Sequence, residues 1–279
     1  MSENRCIITV GLEIGGGQPA ADILDSAGFP WVHRYGAPHW EDDATRDALQ
    51  GVSAILAGSE RFDASTLEGA TELRVIARNG VGYDNVDLGQ CTKRGIVVTY
   101  TPGVMADAVA DLTFALLLGL VRHIPTGDRT VKAGDYNVPI GEDLPSMTLG
   151  LLGCGRIGAE TVRRAKGFRM RVLVNDPFVD DATLQALGAE AVDRDRLLAE
   201  ADVISLHVPM SADNANIANA DFLAAMKKGS FLINTARGGL VDEPALIAAL
   251  QNGHLAGAGL DCQALEPPVG VSAELVALD

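Results

Sequence analysis

The sequence is poor in cysteine, in basic charge and in long apolar runs, and each shortage removes a class of explanation. Its four cysteines, Cys6, Cys91, Cys154 and Cys262, are scattered, with no CxxC pair and no metal-like spacing. That excludes a disulfide framework or zinc ribbon as the organising device and fits a reduced, cytoplasmic protein. Lysine and arginine number 22 against 37 aspartates and glutamates, a net charge of −15 over 279 residues. A phosphate backbone needs clustered cations, so nucleic acid is not an expected partner, and an anionic membrane surface is disfavoured by the same repulsion. The longest apolar stretch, residues 112–121, is too short to span a bilayer and reads as a buried helix. Residues 1–10 lack the apolar segment of a secretory signal. No long repeat or low-complexity linker interrupts the chain. What remains, 47% hydrophobic and 21% charged, is the composition of a globular protein with room for one large or two ordinary domains.

Short β-like runs alternate with helix-like stretches almost throughout, which predicts parallel α/β sheets. In the first part, strands are expected near residues 6–10, 30–33, 53–56, 74–77 and 96–99, with helices around 20–27, 43–49 and 86–93. Thr101-Pro102-Gly103 then breaks the pattern, and a long amphipathic helix is expected over 104–122. The division predicted is residues 1–101 and 102–279. Strands of the second part are expected at 149–152, 171–174, 203–207, 230–234 and 257–260. Gly15-Gly16-Gly17 also follows a strand, but it has neither the spacing nor the acidic partner of a nucleotide-binding turn. It reads as a mobile loop.

Gly153-Cys154-Gly155-Arg156-Ile157-Gly158 is the most informative segment. It follows the apolar run 147–152 and opens a helix-like stretch over 159–168. A second apolar run, 170–174, leads to Asp176, eighteen residues past Gly158. This is the full context of a dinucleotide-binding turn. Gly153 permits the strand-to-helix turn, Gly155 lets a pyrophosphate approach bare backbone, and Gly158 allows close packing of helix on strand. The amides of Arg156 and Ile157 open the helix, where the dipole favours an anion. Asp176 is placed to receive ribose hydroxyls; with no arginine directly after it, it favours NAD over NADP.

Beside this turn stand Arg78-Asn79-Gly80-Val81-Gly82-Tyr83-Asp84-Asn85-Val86-Asp87, Thr101-Pro102-Gly103, Ser205-Leu206-His207-Val208-Pro209, Asn234-Thr235-Ala236-Arg237-Gly238-Gly239 and Leu260-Asp261. In this order they resemble the D-isomer-specific 2-hydroxyacid dehydrogenases, in the style of the phosphoglycerate dehydrogenase branch, over residues 50–268. The resemblance implies an α/β fold of two doubly wound parallel-sheet lobes. Residues 1–101 would be a flavodoxin-like substrate lobe and 102–279 a Rossmann NAD-binding lobe, with the active site in the cleft between them. It further implies NAD as cofactor, a small 2-hydroxy or 2-keto acid as substrate, and a homodimer built mainly from the second lobe.

Hydride transfer to a 2-keto acid asks for a clamp on the carboxylate, stabilisation of the developing alkoxide, and a proton. Arg237 follows the expected 230–234 strand, and its planar fork suits a carboxylate and a carbonyl oxygen together. Gly80, Val81 and Gly82 would offer backbone amides to the same carboxylate, a small anion nest. By resemblance, His207, Pro209, Thr235 and Ala236 border the cofactor and Asp261 faces the nicotinamide carboxamide. Glu266, just before Pro267-Pro268, matches the family's acidic residue that hydrogen-bonds a catalytic histidine. Such a partner fixes the imidazole tautomer and raises its pKa. The histidine itself is expected after one further strand, beyond Asp279. His33, His39, His123, His207 and His254 all fall at other positions, so this chain is expected to stop short of its acid/base group. A second reading therefore stands beside the dehydrogenase: a non-catalytic NAD-binding sensor or scaffold. Formate dehydrogenase resembles the chain less, because glutamine takes the place of Glu266. Departures from the family pattern are Gln263-Ala264, Met105, Asn214 and Asn216, which bear on fine cofactor and substrate preference.

Overall fold

Strands that alternate with helices reach their neighbours only by crossing over a helix, and such pairs are parallel. The computed structural model describes residues 5–13, 17–34, 42–137 and 139–278. The chain divides into two compact units, Met1–Met105 and Ala106–Asp279. The first unit contains β1 (Cys6–Ile8), α1 (Gly17–Ser26), β2 (Trp31–His33), α2 (Asp42–Ala48), β3 (Ala54–Ala57), β4 (Val75–Arg78), α3 (Leu88–Arg94) and β5 (Val97–Thr99). All its pairings are parallel, in the order β2-β1-β3-β4-β5, which is the flavodoxin-like arrangement. Strand alternation divides its core. Ile7, Ile55 and Ile76 join Leu49, Phe62 and Leu67 in one cluster, while Ile8 and Val10 join Ala21 of α1 in the other.

The second unit contains α4 (Ala106–Val121), α5 (Ile124–Lys132), β6 (Thr148–Leu152), α6 (Arg156–Gly167), β7 (Arg171–Asn175), α7 (Asp181–Leu187) and β8 (Glu190–Ala191). It continues through α8 (Arg194–Glu200), β9 (Val203–Leu206), α9 (Ala220–Ala225), β10 (Ser230–Asn234), α10 (Glu243–Gln251), β11 (Leu255–Leu260) and α11 (Val271–Val276). Its parallel sheet runs β11-β10-β9-β6-β7-β8. Counted from β6 this is the 3-2-1-4-5-6 order of dinucleotide-binding sheets. Leu149, Leu151, Val172, Val174 and Ile233 pack with Phe114, Leu117 and Val162 on one face. Leu173, Ile204, Leu206 and Leu232 pack with Leu197, Phe222 and Leu246 on the other. Each such buried side chain contributes about 1.5–3 kcal/mol. Helix starts follow capping chemistry: Asp180, Asp193, Asn219 and Asp242 each accept an amide of the first turn, a contribution of about 1 kcal/mol apiece.

The helix expected over 104–122 is α4 alone. His123, at φ 50°, then turns the chain into the separate helix α5. Nor is the 112–121 stretch buried all round. Thr113, Phe114, Leu117 and Val121 form the covered face while Leu112 is exposed, because a helix lying on a sheet needs only one apolar stripe. The two-residue β8 and the short helices α5 and α11 carry no expectation from sequence, being too brief for a periodic signal. Gly17 begins α1; Gly15, Gly16 and His39 lie outside the described residues. No single helix among the described residues is long and apolar enough to cross a membrane.

Candidate functional site

The switch point of the second sheet lies between β6 and β9, where the chain leaves both strands at their carboxyl ends. Gly153 sits there at φ 93°, and a Cβ on it would meet the His207 carbonyl oxygen at 2.8 Å. A Cβ on Gly158 would meet the Gly153 oxygen at 2.7 Å. Gly155 is exposed, caps α6 with no side-chain bond, and has no atom within 4 Å of where its Cβ would be. The opening above the first amides of α6, including those of Arg156 and Ile157, is thus bare backbone. That is the surface a pyrophosphate needs, so these residues fit a bound dinucleotide. Asp176 closes the turn from beside: its Oδ2 accepts the Cys154 amide at 2.7 Å and its Oδ1 the Phe178 amide at 2.8 Å. Burial, and then the Asp176 charge, push the Cys154 thiol up to about 11.

His207 donates its amide to Leu152 at 2.8 Å, and its Nε2 lies 2.9 Å from the Ser205 hydroxyl. Burial pulls its imidazole down to about 4, so it is neutral at physiological pH. The Pro209 carbonyl accepts from Asn214 Nδ2 at 2.9 Å. Asn214 therefore braces the loop on which it departs from the family pattern.

Next to β9 and two strands from β6 lies β10, and Arg237 follows it on a turn built by Asn234. The Asn234 side chain is fully buried; it accepts the Ala236 amide at 3.0 Å and donates to the Arg237 carbonyl at 2.9 Å. Thr235 is anchored by the Thr113 hydroxyl of α4 at 3.0 Å. Arg237 itself is half-buried, with Nη1 2.7 Å from the Ala236 oxygen. A Cβ on Gly238 would fall 1.9 Å from the Gln263 carbonyl oxygen, so the Arg237 turn and the 261–266 loop meet backbone to backbone. On that loop the Asp261 amide donates to the Asn234 oxygen at 2.9 Å and Glu266 Oε1 accepts the Gln263 amide at 3.1 Å. Partial burial and then the Glu266 charge raise the Asp261 carboxyl. Burial and the same two carboxylates push the Cys262 thiol up to about 12. The structure thus gathers Arg237, Asp261 and Glu266 at the carboxyl edge of the sheet that also carries the glycine turn. No histidine bonds Glu266 among the described residues: His33 Nε2 lies 3.1 Å from the Val10 oxygen and His254 Nε2 3.0 Å from that of Met226.

In the first unit, Gly80, Val81 and Gly82 follow β4. The Gly80 amide is already given to the Arg78 oxygen at 3.0 Å, and the Gly80 oxygen accepts from Thr101 at 3.0 Å. No partner is found for the Val81 and Gly82 amides among the described residues. Of the three expected nest donors, two stand open. No group of metal-ligating side chains occurs among the described residues.

Asn234 and Glu243 were not singled out by sequence reasoning. Asn234 ends an apolar strand inside the Asn-Thr-Ala-Arg-Gly-Gly motif, which is a signal of sorts. Glu243, between the capping Asp242 and Pro244, reads only as an acidic first-turn residue.

Comparison with known proteins fits this geometry. Residues 114–279 match the family described as D-isomer specific 2-hydroxyacid dehydrogenase, NAD binding domain. The chain belongs to this family. It is 43% identical over 215 residues to a glyoxylate reductase of Korarchaeum cryptofilum, a match covering 75% of this chain and 65% of that protein. It is 36% identical over 267 residues to a D-3-phosphoglycerate dehydrogenase of Bacillus subtilis, covering 95% of this chain and 49% of the relative. The match thus spans less than two thirds of the length of either curated relative. Among solved structures, the TT0316 protein of Thermus thermophilus superposes with a TM-score of 0.86 at 37% identity, covering 97% of this chain and 86% of that one.

Proposed function

We propose that the chain carries the NAD-binding and substrate-clamping parts of a D-2-hydroxyacid dehydrogenase acting on a small 2-keto acid. The observation that carries this reading is the placement of Arg237 and Glu266 on abutting loops, at the edge of the sheet that holds the glycine turn. Bound NADH supplies a hydride; the rest falls to the protein. Arg237 grips the substrate carboxylate and carbonyl with its fork. Asp261 and Glu266 raise the negative potential locally, which stabilises an imidazolium placed beside Glu266. Glu266 then orients that imidazole as acid in reduction and base in oxidation. We assign the imidazole to a residue other than His33, His207 and His254, each of whose Nε2 already faces another partner. Two relatives are named a glyoxylate reductase and a D-3-phosphoglycerate dehydrogenase, and the trial substrates are glyoxylate, hydroxypyruvate and a phosphorylated 2-keto acid.

The test is a paired assay of the 279-residue chain and of the complete open reading frame of its gene, with all three substrates and NADH. Reduction by the 279-residue chain at least about 10²-fold slower than by the complete product is expected if the general acid lies outside these residues. Equal rates in both would place the proton donor inside these residues and overturn the assignment. NADH binding without turnover in both would favour the second reading, an NAD-binding sensor or scaffold, which a Glu266 bonded to no histidine among the described residues keeps open. A homodimer is part of the proposal, since Ile124, Val131, Tyr136 and Ile140 are exposed along α5 and the arm after it. Light scattering that reports only monomer at micromolar concentration would contradict it.

A further inference from the structure

The loop bearing Glu266 hangs from a buried carboxylate, and we propose that Glu243 is a positioning residue that sets Glu266 against Arg237. The inference rests on the dehydrogenase reading above. Glu243 is the first residue of α10 and only 5% exposed. Its Oε1 accepts the Ala264 amide at 2.8 Å and its Oε2 accepts the Ser272 hydroxyl at 2.5 Å. The same hydroxyl accepts the Leu265 amide at 3.3 Å, and Ser272 is 1% exposed. One carboxylate therefore binds both ends of the segment from Ala264 to Ser272, between which Glu266 lies.

Burying a carboxylate is costly, so one retained without a bonded cation must be repaid by what it holds. Here the first amides of α10 favour negative charge, and both oxygens take charge-assisted bonds, which are stronger than neutral ones. The 264–270 backbone is exposed and contains two prolines, so it has little else to define its path. On its other side it meets Gly238 backbone to backbone. The short segment from Arg237 to Glu243 thus presents the substrate clamp at one end and the loop's tether at the other. If the tether is cut, Glu266 keeps its bond to the Gln263 amide but loses its fixed position relative to Arg237. Cys262, flanking the loop, reports the loosening.

The experiment uses the complete gene product with Glu243→Ala, Glu243→Gln and Ser272→Ala. A displacement near 1 Å at a reacting constellation costs about 10²-fold, so Glu243→Ala should lower kcat by about 10- to 100-fold. It should also shift the limb of the kcat–pH profile that reports the imidazole paired with Glu266. NADH affinity should not move, and Cys262 should alkylate faster. Glu243→Gln keeps an acceptor for the Ala264 amide and should recover most of the loss. Ser272→Ala, which removes one tether and leaves the carboxylate in place, should fall between and serves if Glu243→Ala does not fold. A proportionate fall in kcat and NADH affinity with an unchanged pH profile would mean general destabilisation and overturn the assignment. So would unaltered kcat in Glu243→Ala. A wild-type enzyme that reduces no 2-keto acid overturns the dehydrogenase reading first, and this assignment with it.

Discussion

Replacing Asp176 by alanine separates two roles that one carboxylate plays. Without cofactor, the substitution removes the acceptor of the Cys154 amide at 2.7 Å and of the Phe178 amide at 2.8 Å. Phe178 is 95% exposed, so water replaces that bond at little cost. The Cys154 amide belongs to a buried residue inside the turn, and leaving such a donor unpaired costs about 1.5–3 kcal/mol where the lost acceptor was charged. For a unit of this size each kcal/mol lowers Tm by about 2–4 °C, so a fall of roughly 3–12 °C is expected. If Asp176 receives the ribose hydroxyls as the sequence predicts, the variant with cofactor also loses those charge-assisted bonds, about 1.5–3 kcal/mol. NADH affinity should then drop by about 10- to 100-fold. NADPH should lose less, because its 2′-phosphate no longer meets a carboxylate, so the ratio between the two narrows. Differential scanning fluorimetry measures the first effect, and fluorescence titration of both cofactors the second. Unchanged Tm would show that the Cys154 contact contributes nothing. Wild-type NADPH binding as tight as NADH would refute the ribose assignment.

Gly153→Ala forces a side chain onto φ 93° and against the His207 oxygen; NADH binding should be lost at a stability cost of about 1–3 kcal/mol, read by titration and by urea unfolding. Arg237→Lys keeps charge but not the fork, so kcat/KM for 2-keto acids should fall by about 10²-fold while NADH affinity holds; a matching loss of NADH affinity would argue for a structural arginine. His207 has a folded pKa near 4 against an ordinary 6.5, so its neutral form stabilises the fold above pH 6.5 and that contribution is lost as pH falls through 4. His207→Gln should flatten that part of the stability–pH curve; an unchanged curve would place the acid sensitivity elsewhere. Cys154 works in the opposite direction: its thiol is raised from 9.0 to about 11, so its contribution is present below pH 9 and disappears as pH rises through 11. Its alkylation should be slow at neutral pH and slower still with NADH bound.

The sequence by itself determined the periodic and the local. Apolar runs of strand length alternating with helical stretches dictated two parallel sheets, since chemistry of that period admits no other pairing. The 153–158 turn was legible because its glycines answer to short-range sterics: Gly158 is excluded from carrying a Cβ by an oxygen only five residues away. Asp87, Asp180 and Asp242 cap helix starts through bonds that are equally local, three residues long. Tertiary structure alone decided the rest. That Asp176 holds the Cys154 amide, that Gly238 lies against Gln263, and that Glu243 suspends the Glu266 loop are contacts between residues 22, 25 and 21 positions apart. Such contacts have no period and no composition. They exist because strand order brings the carboxyl ends of β6, β9, β10 and β11 to one edge, where buried amides that lack a ladder partner must find an acceptor from whichever loop the fold delivers.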